Sequence, residues 1–83
     1  MNIPVDDVRG ELFKFINGVL DSSEAECGDV IFGLDVLGYP VVYVVLSMNP
    51  DVKFLDDIIY DYLQSMNLEP AWQDAQVVVV IEV

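Results

Sequence analysis

Val41-Val42-Tyr43-Val44-Val45-Leu46-Ser47-Met48 decides the fold. Valine and tyrosine fill its first five positions, and both suit a pleated surface better than a helix. The run is apolar on both faces until Ser47. A strand with one wet face alternates apolar and polar, so this one reads as the centre of a sheet. Leu37-Gly38-Tyr39-Pro40 lies just before it and reads as the close of a hairpin. Before that, Val30-Ile31-Phe32-Gly33-Leu34-Asp35-Val36 reads as the first strand. Its alternation is imperfect. Val30, Phe32, Leu34 and Val36 share one face, with Gly33 and Asp35 on the other.

Downstream, Asn49-Pro50-Asp51 matches a helix start, with asparagine at the N-cap and proline at the first helical position. The spacing predicts a helix running to about Met66. Val52, Leu55, Ile59, Tyr62 or Leu63, and Met66 form its buried stripe, while Asp56, Asp57, Asp61 and Gln64 face away. Asn67 is the expected C-terminal cap, and Glu69-Pro70 prevents continuation. Residues 71–76 read as a loop or single turn, and residues 76–83 as a third strand, apolar on both faces from Val77 to Ile81. A right-handed crossover through the helix brings this strand parallel to the second. Placing the most apolar strand centrally favours the order 1-2-3.

Upstream, residues 4–20 read as helix. Pro4 suits the first helical position, and Asp6 and Asp7 complement the helix dipole. Val5, Val8, Leu12, Phe15 or Ile16, and Val19 recur at three- and four-residue steps. Gly10 costs that helix about 1 kcal/mol relative to alanine and suggests close packing there. Residues 21–29 read as an acidic loop closed by a Gly-Asp turn. The whole is one α+β domain over residues 1–83, in α-β-β-α-β order. It has two main helices on a three-stranded mixed sheet, an antiparallel hairpin plus the C-terminal strand. Two helices cover one sheet face. The second face needs either a split of the helices or a partner, and the apolar surplus favours a homodimer or partner interface through the sheet.

Composition narrows the function. Fifteen acidic residues against three basic give a net charge of −12, and 54% of the chain is apolar. Disorder requires low hydrophobicity beside high charge, so the chain is expected to fold. There is no histidine and one cysteine, Cys27. The usual general bases, nucleophile relays and zinc sets lose their residues. Cys27 lies between Glu26 and Asp29, which should raise its thiol pKa and leave it inert. No phosphate-binding glycine motif, nucleophile elbow or C-x-x-C occurs. The element order resembles one variant of the KH nucleic-acid module, which clamps backbone with a G-x-x-G loop. That loop is absent, and the charge has the wrong sign. The expectation is therefore no enzyme, no cofactor and no metal. The N-terminus lacks signal-peptide character and no apolar run spans a membrane, so a cytoplasmic location is expected.

Anionic nucleic acid and lipid are poor partners for such a chain, and a basic protein is the better match. Solubility alone asks for a net charge of magnitude about 2–8. Asp57 and Asp61 stand roughly 5–6 Å apart at Cβ on one helix face, near the spacing of charges along a nucleic-acid strand. The candidate partner-binding residues are Asp51, Asp56, Asp57 and Asp61, the loop acids Glu24 and Glu26, and Tyr60 as an aromatic anchor. The leading expectation is a small inhibitor that occupies a basic, nucleic-acid-binding surface. Phage anti-restriction and anti-CRISPR proteins use this physical strategy, and a phage-encoded chain would act in the host cytoplasm. The alternatives are an immunity protein or antitoxin against a basic nuclease, or an adaptor assembling through its apolar sheet. Adaptation to high salt would also explain the acids.

Overall fold

The computed structural model describes residues 3–82. Its central strand is β2 (Pro40–Leu46), paired antiparallel to β1 (Cys27–Leu34) and parallel to β3 (Gln76–Ile81), in the order β1-β2-β3. Registers Phe32↔Val42↔Val77 and Val30↔Val44↔Val79 line up one face of the three strands. Helix α1 (Val5–Val19) lays Val8, Leu12 and Ile16 on that face, followed by Leu20. Helix α2 (Leu55–Gln64) adds Leu55, Ile59 and Leu63 to the same cluster. Both stripes advance four residues at a time, close to the helical period, so each buries one straight edge. Each fully buried aliphatic side chain contributes about 1.5–3 kcal/mol. The Phe15 ring stacks on Tyr62 with centroids 3.9 Å apart and ties the helices together. Trp72, in a 3-10 turn at Pro70–Trp72, meets Phe32 edge-on at 5.3 Å.

Both helices thus lie on one face, and the alternative of helices split across the sheet is overturned. The other face carries Ile31, Tyr43 and Val78 in one row and Val45 and Val80 in the next. No helix covers it. Ile31 and Val80 are exposed, Tyr43, Val45 and Val78 are half-buried, and Val41 alone is buried there. The double-sided apolar pattern of β2 and β3 therefore records one packed face and one open apolar face.

Several boundaries differ from the sequence expectation. β1 begins at Cys27, inside the expected loop, because pairing starts earlier: the Ser47 N–H donates to the Glu26 carbonyl at 2.9 Å. Gly28 and Asp29 form a bulge between Cys27 and Asp29, not a turn. The hairpin turn comes early, because Asp35 closes it. Asp35 Oδ1 accepts the N–H groups of Leu37 and Tyr39, both at 2.9 Å. Gly38 sits there at φ 84°, a left-handed conformation natural for glycine. Leu34 and Val36, expected on the packed face of β1, are instead exposed, Val36 completely (101%).

Helix α2 begins at Leu55, not at Asn49-Pro50. The chain must first climb from the end of β2 to the helix layer, and residues 49–54 make that climb. Val52 packs against the core on the way. No side chain caps the helix, and its N-cap Phe54 is left-handed at φ 59°, ψ 33°. The helix ends at Gln64 with Ser65 as its C-cap, so Asn67 lies beyond it, where its carbonyl accepts the Ile3 N–H at 2.7 Å. Pro4 precedes α1 as its N-cap. The expected close packing at Gly10 is absent, since a Cβ there would meet nothing within 4 Å. β3 stops at Ile81, and Val83 lies outside the described residues.

Candidate functional site

The helix layer is the acidic side of the molecule. Asp6 pairs with Arg9 at 3.6 Å. Asp29, Asp35 and Asp74 accept hydrogen bonds from Val30, from the hairpin turn and from Tyr60. The other eleven of the fifteen carboxylates are exposed and have no side-chain partner among the described residues. Lys14 and Lys53 make no ion pair among those residues, and Arg9 also leans over the Phe32 ring at 5.8 Å. The negative field is therefore left almost uncompensated within the chain.

The seven sequence-selected residues fall into three places. Glu24 and Asp51 come together, because residues 22–25 and 48–52 line one depression of about 490 Å³. Asp56, Asp57 and Tyr60 line a second, of about 320 Å³, over Gln76 and Val77 at the start of β3. Asp61 follows one turn on along α2, exposed like Asp57. Glu26 stands apart, beside a hollow lined by Phe13, Asn17, Leu20 and Asp21. Its backbone N–H donates to Ser47 Oγ at 2.9 Å, which leaves its carboxylate in solvent.

Tyr60 is half-buried, and its hydroxyl donates to Asp74 Oδ1 at 3.1 Å. That hydrogen bond favours the neutral phenol and raises its pKa, with desolvation and the charges of Asp74 and Asp61 acting the same way. Its hydroxyl is thus already engaged, which leaves the ring as its contact surface. Cys27 is 4% exposed and opens β1 instead of lying in the expected loop. Burial first, then the Asp29 charge, pushes its thiol pKa up. The direction matches the sequence expectation, but burial is the larger cause. Among the described residues, no cluster of three or more Cys, Asp or Glu could hold a metal ion. No helix there is long and apolar enough to cross a membrane.

Sequence reading missed two groups. Leu34, Val36, Leu37 and Tyr39 are all exposed at the hairpin tip. Phe54, 71% exposed, forms the lip of a groove along β3 with Pro50 and Val52. The first group was hidden by apparent strand alternation and the second by the false helix start. No family model, curated protein or solved structure matches the chain.

Proposed function

We propose that this protein is a non-enzymatic binding protein whose acidic helix layer docks on a basic, nucleic-acid-binding surface of a target protein and blocks it. One observation carries this reading: eleven exposed carboxylates without a side-chain partner among the described residues. A chain that needed the acids only for solubility could have interleaved lysine and arginine among them at little cost. Asp56, Asp57 and Asp61 present a row of charge on one helix, with Asp51 and Glu24 extending it around the start of α2. The immunity-protein form of the same idea uses the same physics on a single toxic partner.

The test is affinity capture with the intact protein, with bound proteins identified and then challenged by salt and by competing duplex DNA. A nucleic-acid-binding protein that is released by both supports the reading. Asp57→Lys with Asp61→Lys should weaken that capture at least about tenfold, as expected for opposed charges in an interface. Affinity that stays constant between about 50 and 500 mM salt would sink it, because exposed charge pairs are screened over that range.

A second reading, assembly through the sheet, is favoured by the open apolar face of Ile31, Tyr43, Val45, Val78 and Val80. It predicts an oligomer that persists at high salt and disappears in Tyr43→Lys, measured by sedimentation equilibrium.

A further inference from the structure

β3 is the end of the sheet, and its outer edge is open. The Glu82 N–H donates to the Leu46 carbonyl at 2.8 Å, which fixes the phase of the parallel ladder. Residues 76, 78, 80 and 82 turn their main-chain groups toward β2. Val77, Val79 and Ile81 therefore turn theirs outward. Those three N–H and three C=O groups have no hydrogen-bond partner among the described residues. The opposite edge of the sheet is blunted. β1 carries the Gly28 bulge, and Asp29 Oδ1 accepts the Val30 N–H at 2.8 Å. β3 has no such protection: Gln76-Val77-Val78-Val79-Val80-Ile81 contains no charge and no proline, and its pairing with β2 shows no bulge. Proteins rarely leave an edge of this kind uncovered.

A groove of about 450 Å³ runs along it. Val77, Val79 and Ile81 form one wall, and Pro50, Val52 and Phe54 form the other. Asp56 stands at its rim and also lines the adjoining hollow with Asp57.

We propose that the free edge of β3 accepts an extended segment of a partner protein as a fourth strand. That segment carries lysine or arginine at alternate positions facing α2 and apolar residues between them. This rests on the acidic-docking reading and supplies its mode. Main-chain pairing provides the attachment, and the side-chain pattern provides selectivity. Residues of the added strand opposite Val77, Val79 and Ile81 share the helix side of the sheet. They approach Asp56 and Asp57, which are exposed and unpaired among the described residues. The intervening residues extend the open apolar face beside Val78 and Val80.

Charge selects this occupant over a second copy of the chain. Two β3 strands paired antiparallel about Val79 would also use every outward main-chain group. Directly opposed residues lie on the same face, so both α2 helices would then share one side. Asp56 and Asp57 of both copies would then lie on that one side, and like charges gathered there are unfavourable.

The experiment uses the intact, isotopically labelled protein and a nine-residue peptide alternating lysine and valine. Two further peptides carry N-methyl groups, one on the lysine nitrogens and one on the valine nitrogens. Amide hydrogen exchange and affinity are followed by NMR at low salt. The expected result is binding that slows exchange at Val77, Val79 and Ile81 at least about tenfold. One methylated peptide should lose affinity by a similar factor while the other keeps it, because alternate nitrogens face the edge. If both methylated peptides bind like the parent and all three weaken with salt, the acidic-docking reading stands and edge pairing fails. If none binds, both fail. If the three amides are already protected in a concentration-dependent way without peptide, a second copy occupies the edge and the proposal is overturned.

Discussion

Gly10 lies exposed in the middle of α1, and a side chain there has room. Gly10→Ala should therefore raise unfolding stability by about 1 kcal/mol, read as a higher denaturant midpoint at unchanged slope. Two titratable groups among the described residues have raised pKa values and give a second expectation. Cys27 and Tyr60 keep their protons in the folded state beyond their ordinary values of 9.0 and 10.0. The unfolded chain releases those protons first, so their stabilisation is complete below about pH 9 and is lost as pH rises through the folded values. The denaturant midpoint should fall above about pH 9, and Cys27→Ala combined with Tyr60→Phe should flatten that fall. A midpoint that declines equally in the double variant would assign the loss to other groups. Single residues were legible in the sequence where a period repeats. Val8, Leu12, Ile16, Leu55, Ile59 and Leu63 follow from helical spacing and are all buried. Val36 was misplaced because alternation assigns a face only while the strand lasts, and β1 ends at Leu34. Leu34 keeps its alternation as the last paired residue but is exposed all the same.

The elements themselves were legible in kind and order, because apolar period and turn residues act locally. Their ends were not, because tertiary contacts set them. The Asn49-Pro50 signal goes unused, and α2 starts from Phe54 in a strained backbone conformation. Left-handed geometry costs a non-glycine residue roughly 1–2 kcal/mol, and asparagine tolerates it better. Phe54→Asn should thus stabilise the fold by up to about 1 kcal/mol, since the ring is mostly exposed and little burial is lost. It should also weaken any strand bound in the β3 groove, whose lip it removes. The hairpin depends on Asp35 in the opposite sense. Asp35→Ala deletes the acceptor for two turn N–H groups that water can partly satisfy. The expected cost is about 0.5–1.5 kcal/mol in thermal or chemical unfolding. The open face of the sheet was legible only as an excess of apolar residues. A strand apolar on both sides looks the same whether a helix, a partner or water meets its second face.

On the scale of the whole molecule, charge and grease are separated. The helix layer and loops carry most of the carboxylates, while the outer sheet face carries almost none, with Asp29 and Glu82 near one end. The net −12 was countable from the sequence, but this segregation was not, because it depends on both helices sharing one face. The surface of 5351 Å² then holds about one net negative charge per 450 Å². With three basic residues in the chain and one ion pair among the described residues, those charges mostly repel. Added salt should therefore act in opposite directions on two observables. Screening of self-repulsion should raise the unfolding midpoint between about 20 and 300 mM sodium chloride. The same screening should lower affinity for a basic partner over the same range. Both slopes should shrink together in Asp57→Lys with Asp61→Lys, because they arise from the same carboxylates. A stability slope that shrinks while the binding slope does not would place the partner on other acids. An affinity indifferent to salt beside a salt-stabilised fold would leave the carboxylates as surface charge alone and move the binding surface to the open sheet.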